Sequence, residues 1–145
     1  MNRMLVALAV LLTFAATVSA QEPRAYTEGQ VSVVTSVKIM DGQYDNYMSF
    51  LSKSYKPLME AQKEAGIISG FTIYDASART SSEPDLYLVV TYPNMASLDG
   101  LADKTEPVSS KVLGQNRAQA NEASAGRGKM REILGSEIIR ELQLK

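Results

Sequence analysis

The sequence of 145 residues contains no cysteine and no histidine. Without cysteine, no disulfide can hold the fold together, so its stability must come from the burial of apolar side chains. Without histidine, the chain lacks the most common general base and the most common metal ligand. The two absences exclude cysteine nucleophiles, serine–histidine triads, histidine-ligated haem and the usual zinc sites. We therefore expect no bound metal and no cofactor.

Long apolar runs are also scarce, and the one at the start of the chain has the features of a cleavable export signal. Arg3 supplies a positive charge, residues 4–16 are almost wholly apolar, and small side chains precede Gln21. The run is shorter than the roughly 20 residues needed to cross a bilayer, which favours cleavage over a membrane anchor. We expect residues 1–20 to be removed and the mature protein to be exported, without a membrane partner.

Charge of one sign is not in excess. The signal takes one of the 15 basic residues and none of the 16 acidic ones, which leaves a small negative net charge. Such a balance provides no electrostatic surface for nucleic acid, and we expect no nucleic-acid partner. Without residues 1–20, the mature chain is long enough to bury the core of one domain.

The first part of the mature chain predicts a leader, a strand and a helix. Residues 21–29 are mostly polar and show no period, which indicates a flexible leader before a domain at 30–145. Apolar residues alternate over 31–39, as in a strand with one buried face. Over 44–65 they recur at helical spacing, and Pro57 predicts a kink or break there because proline lacks a backbone N–H.

The second part predicts two strands, further helices and a last strand. The strands at 67–75 and 85–92 form a hairpin with a long polar loop between them. Asn94 can cap a short helix over 95–102, and a longer, irregular helical region opens at Thr105 with Pro107 in its first turn. The last strand is predicted at 138–144, after an apolar helical edge.

This order of elements is that of an α+β, ferredoxin-like βαββαβ domain with a four-stranded antiparallel sheet. Helices cover one face of such a sheet, and the other face must meet water, a ligand or another sheet. The alternation places apolar and aromatic residues on that second face: Val34, Thr72, Tyr74, Tyr87 and Val89. A second copy of the chain would bury them, so the prediction is a homodimer.

The same residues carry a family resemblance. Residues 31–92, with the Asp41-Gly42 turn, the Tyr55-Lys56-Pro57 interruption and Ala65-Gly66, resemble the small dimeric α/β-barrel proteins, and 127–145 is similar to their C-terminal end. That group includes exported bacterial members without an assigned activity. The resemblance implies a homodimeric barrel in the periplasm or outside a bacterial cell, and it implies little about chemistry.

Proteins of this kind handle small molecules in the barrel interior or between the sheet and its helices. The resemblance implies a cavity whose nearby polar groups are the candidate ligand-binding residues: Ser36, Lys38, Thr72, Tyr74 and Tyr87. No catalytic residue can be assigned. For Tyr74 and Tyr87 the preferred interpretation is an aromatic dimer core with hydroxyls at its rim.

Two other clusters have ordinary structural interpretations. Asp75 and Asp85 flank the hairpin loop and could form an acid–base pair, but solvated turn carboxylates are favoured. Basic residues gather at Arg127, Lys129, Arg131 and Arg140 beside two glycines. An anion site there remains an alternative, although no phosphate-binding fingerprint is present.

Three functions stay open. The leading one is an exported homodimer that binds a small apolar or aromatic molecule. The second is a cofactor-independent oxygenase or isomerase that uses tyrosine, lysine or aspartate, for which the fold alone is a weak argument. The third is a purely structural or interaction protein.

Overall fold

The computed structural model describes residues 23–145, so the predicted signal and the first two leader residues lie outside the described part. The strands are β1 (Tyr26–Ile39), β2 (Gly70–Asp75), β3 (Leu86–Tyr92) and β4 (Arg131–Leu144). The α-helices are α1 (Tyr44–Phe50), α2 (Lys56–Glu64), α3 (Leu101–Leu113) and α4 (Arg117–Gly126). A π-helical turn (Leu51–Tyr55) joins α1 to α2, and two short 3₁₀ turns occur at Met95–Leu98 and Arg127–Lys129.

The four strands form one sheet in the order β2-β3-β1-β4, and every neighbouring pair is antiparallel. This order and the alternation of strands and helices confirm the α+β, ferredoxin-like fold. The strands β2 and β4 lie at the edges, and β1 and β3 lie in the centre. Within residues 23–145, no helix has both the length and the apolar character needed to span a membrane.

The strand β1 begins at Tyr26, which corrects the prediction of a flexible leader up to residue 29. Tyr26 pairs with Leu144 and Glu28 with Leu142, and Arg140 binds Glu28 with 2.7 Å between Nη1 and Oε2. Most residues at this end of the β1–β4 pair are exposed, so their side chains need not alternate in polarity. The strand β4 begins at Arg131 rather than 138. It is an edge strand whose polar and apolar residues are mostly exposed alike, so alternation does not mark its first half.

The predicted interruption at Pro57 takes the form of the π-helical turn before it. The N–H of Lys56 donates to the carbonyl of Leu51, five residues back, in place of the α-helical bond to the fourth. Pro57 occupies the first turn of α2, where its missing N–H costs little. The chain thus continues as a helix through the proline.

The helix α3 differs from the prediction. It begins at Leu101, after Gly100 in the left-handed conformation with φ of 61°, and so Pro107 lies in its interior instead of its first turn. Pro107 is exposed, and the carbonyl of Asp103, which its N–H would have bonded, is on an exposed residue and can meet water. The predicted cap is confirmed: Asn94 Oδ1 accepts from the N–H of Ser97 at 3.1 Å, although the short helix is a 3₁₀ turn.

The core lies between the sheet and the helices. One cluster of buried side chains comprises Val37, Tyr47, Leu51, Leu86 and Leu88, and a second comprises Met59, Ile68 and Tyr92. Tyr55 packs against both clusters and joins them into one layer. This layer is faced by the odd-numbered residues of 31–39 in β1 and by the even-numbered residues of β3, as the alternation predicts.

Candidate functional site

The face of the sheet that points away from the helices holds all five candidate ligand-binding residues. Ser36 lies opposite Tyr87 between β1 and β3, Tyr87 lies opposite Tyr74 between β3 and β2, and Thr72 lies opposite Val89. Lys38 follows Ser36 on the same face by strand alternation. The structure therefore brings residues from three strands into adjoining rows.

We call the centre of this face the outer patch. It consists of eight residues of β1, β2 and β3: Ser32, Val34, Ser36, Thr72, Tyr74, Tyr87, Val89 and Thr91. None of the eight is charged. Neighbouring side chains leave Val34 only 8% exposed, whereas Tyr74 at the sheet edge is 56% exposed. The patch thus combines a packed centre with an aromatic ring that residues 23–145 leave uncovered.

The hydroxyl groups of Ser32 and Thr91 lie 2.9 Å apart and satisfy each other at one end of the patch. Shallow depressions lie at both ends: one of about 340 Å³ beside Ser32 and Ile139, and one of about 200 Å³ beside Tyr87 and Arg79. The centre of the patch is closed by its own side chains. The outer patch can therefore pack against another surface, and shallow depressions remain at its two ends.

Lys38 is held by a partner that the sequence did not indicate. Its Nζ donates to Oδ1 of Asp85 at 2.9 Å, and the N–H of Ile39 donates to Oδ2 of Asp85 at 2.7 Å. Partial burial by itself raises the pKa of Asp85, but the Ile39 and Lys38 contacts outweigh it and hold that pKa below its ordinary value. The prediction of a solvated turn carboxylate is therefore wrong for Asp85, whose side chain is 27% exposed.

Asp75, at the other side of the hairpin loop, is different. It is exposed and accepts only a long hydrogen bond of 3.4 Å from the hydroxyl of Tyr44. Here the prediction of a solvated carboxylate is confirmed. Among residues 23–145, no group of three or more acidic side chains is placed to hold a metal ion.

A group of three tyrosines lies on the helix side of the sheet, where the sequence pattern indicated only core. Burial raises the pKa of Tyr47 and of Tyr92, and for Tyr47 the nearby Arg131 opposes the effect. Burial, with smaller contributions from Tyr47 and Tyr92, raises the pKa of Tyr55 to about 12. At neutral pH these hydroxyls stay protonated, so they can donate hydrogen bonds but do not act as bases.

No protein-family model matches the sequence, and no curated protein matches it at a significant level. Among solved structures, the chain is similar to the crystal structure of HapK from Hahella chejuensis, with a TM-score of 0.51 and 10% sequence identity. The match covers 77% of this chain and 91% of that chain. The likeness shows the fold. At this identity it carries no residue of a site from one protein to the other.

Proposed function

We propose that the protein is an exported homodimer of the dimeric α/β-barrel type, in which two outer patches enclose a small apolar or aromatic molecule. The observation that carries the proposal is the outer patch itself. It is uncharged, it contains two tyrosines and two valines, and within residues 23–145 its edge tyrosine, Tyr74, is 56% exposed. Apolar and aromatic surface of this kind gains free energy when another surface covers it.

A second copy is the occupant that the charge distribution favours. A two-fold axis brings the same patch of both copies together, so any unpaired charge at its centre would meet its own kind. The outer patch has none. On the same face Lys38 is already neutralised by Asp85. Two glutamates lie beside the patch on the edge strand β4: Glu132 opposite Lys38, and Glu137 opposite Val34.

The row formed by Ser36, Tyr87 and Tyr74 supports the binding of a small molecule at the dimer interface. Two aromatic rings provide flat apolar contact area, while three hydroxyl groups provide a few directed hydrogen bonds. The depressions at the ends of the patch would leave entrances between two packed sheets. A ligand that is apolar or aromatic with one polar group matches this lining.

The enzyme hypothesis has less support on this face. Lys38 and Asp85 are the candidates for acid–base chemistry, and each already satisfies the other. The proposal is therefore binding rather than catalysis.

Sedimentation equilibrium of the purified protein at micromolar concentration measures the oligomeric state and so tests the dimer proposal. We expect twice the mass of one chain. Val89→Lys and Tyr74→Lys, which place like charges across the axis, should give monomers with unchanged far-ultraviolet circular dichroism. The matched control is Tyr44→Lys, which replaces a similarly exposed tyrosine on α1 and should stay dimeric. A monomeric wild-type protein would overturn the proposal, and so would a dimeric Val89→Lys variant.

Ligand binding is tested with N-phenyl-1-naphthylamine, a neutral aromatic probe whose fluorescence rises in apolar surroundings. We expect saturable binding to the dimer, weakened by Tyr87→Ala and absent from the monomeric Val89→Lys variant. A dimer that shows no saturable binding would leave the purely structural protein as the better description.

Export is tested by the N-terminus of the protein recovered from the periplasm or the medium of a bacterial culture. Intact-mass measurement should find a chain that begins at Gln21. Recovery of the uncut chain in the cytoplasm would refute this part of the proposal.

A further inference from the structure

A cavity of about 230 Å³ lies among the helices. Its walls are formed by Phe50, Ser54, Leu113, Gln115, Ala123 and Arg127. Gly114, in the left-handed conformation with φ of 64°, ends α3 directly before Gln115, and the capping box of Asn116 and Gln119 then begins α4. The tight connection between α3 and α4 thus closes one side of the cavity against the end of α1.

Arg127 is held at this cavity by an aromatic ring. Its guanidinium carbon lies 4.9 Å from the centroid of the Phe50 ring, and Phe50 in turn stacks on Tyr47 with 5.8 Å between ring centroids. A cation–π contact of this kind uses none of the guanidinium N–H donors. The donors therefore remain for a partner in the cavity.

The charge of Arg127 is not balanced by an acid. Within residues 23–145, neither Arg127 nor its neighbour Arg131 forms an ion pair with a carboxylate. Burial lowers the pKa of Arg127, and the positive charge of Arg131 lowers it further. A partly buried guanidinium beside a second one is stabilised by an anion.

We propose that this cavity binds a small apolar monocarboxylate of about the size of benzoate, with the carboxylate on Arg127. The rigid fork of arginine donors fits the two oxygens of a carboxylate. Leu113 and Ala123 supply apolar contact for the body of the ligand, and Ser54 and Gln115 supply further polar groups. The volume lies below the roughly 300–1,000 Å³ of sites for drug-sized molecules, which limits the ligand to about one ring.

This site is separate from the outer patch, because it lies among the helices and requires no second copy of the chain. It also changes the interpretation of the basic segment at 127–131. The absence of a phosphate-binding fingerprint argued against anion binding there. The structure instead has a cavity lined by the guanidinium of Arg127, which contacts the Phe50 ring. A search for glycine-rich phosphate-binding loops does not find a site of this kind.

The test is calorimetric titration of the purified protein with benzoate. We expect saturable binding, weakened about tenfold or more by Arg127→Gln and by replacement of benzoate with uncharged benzamide. Lys129→Gln is the matched control, since it removes a nearby exposed cation that does not line the cavity, and it should bind benzoate as the wild type does. Ala123→Leu, which fills the cavity and leaves Arg127 in place, should abolish binding even if Arg127→Gln proves unstable.

Several results would overturn the proposal. They are the absence of saturable benzoate binding, equal binding by Ala123→Leu and wild type, and displacement of benzoate by inorganic phosphate at equal concentration. The last result would indicate a general anion site. The monomeric Val89→Lys variant should retain benzoate binding, so failure of the dimer proposal and failure of this one are distinguishable.

Discussion

Lys38 and Asp85 tie the end of β1 to the start of β3 through a contact of 2.9 Å between the ammonium nitrogen and a carboxylate oxygen. The second carboxylate oxygen accepts from the N–H of Ile39, and the main-chain N–H of Asp85 donates to the carbonyl of Val37 at 2.8 Å. One aspartate thus links three consecutive residues of β1. It does so where the long hairpin loop would otherwise leave the strand ends unpaired.

Replacement of Asp85 should destabilise the fold in a graded way. Asp85→Ala removes both acceptors and leaves the half-buried Ile39 N–H without a partner, which should cost about 1–2 kcal/mol of unfolding free energy. Asp85→Asn keeps an acceptor and should cost less. Urea denaturation at neutral pH measures both, and Asp75→Asn, on the exposed carboxylate across the loop, is the control with little effect.

The contribution of Asp85 should also depend on acidity. Because its folded-state pKa lies below the ordinary value of 3.8, the stabilisation is complete above pH 3.8 and is lost as the pH falls through the folded-state value. Wild type should lose stability on acidification more steeply than Asp85→Asn. If the unfolding free energies of the two proteins fell in parallel with decreasing pH, the stabilising role of the Asp85 carboxylate would be contradicted.

Pro107 should reduce the stability of α3. Proline in a helix interior costs about 3 kcal/mol relative to alanine, of which up to about 1 kcal/mol is returned by the smaller entropy of the unfolded chain. Since Pro107 is exposed, Pro107→Ala removes no core contact and restores an N–H for the carbonyl of Asp103. We expect a gain of about 2–3 kcal/mol in urea unfolding.

Lys111→Ala, at another exposed position of the same helix, is the control. Lysine and alanine differ little in helix propensity, so the change should stay within about 0.5 kcal/mol. A loss of stability in Pro107→Ala would mean that the proline ring makes a contact that its exposure does not suggest.

The sequence predicted those strands whose two faces meet different surroundings. Val31 and Val37 alternate with Ser32 and Ser36 because one face of β1 packs on the helices, and this same alternation placed Ser36, Tyr74 and Tyr87 on one surface. The extension of β1 to Tyr26 was missed because both of its faces are solvated. Alternation of apolar and polar residues marks a strand that is buried on one face, so it gives no signal where both faces are equally exposed.

The pair of Lys38 and Asp85 could not be found from spacing, because 47 residues separate the two. Their contact depends on the register of β1 against β3, which the pattern of apolar residues restricts only to every second position. Arg127 and Phe50 present the same difficulty at greater separation. Their contact depends on how the 3₁₀ turn after α4 is placed against α1, and no local signal encodes that placement.

Tyr55 should make the fold sensitive to alkali. Its pKa is about 12 in the folded protein against an ordinary value of 10.0, so the folded state keeps a proton that the unfolded state has released. The contribution of this group is therefore intact below pH 10.0 and is lost as the pH rises toward about 12. Wild type should lose stability over that interval by at most about 1.4 kcal/mol per pH unit more than Tyr55→Phe does. Urea unfolding just below pH 10.0 and again at about pH 11 measures the difference. The curves should run parallel below pH 10.0 and diverge above it, and equal slopes throughout would show that the Tyr55 hydroxyl ionises without opposing the fold.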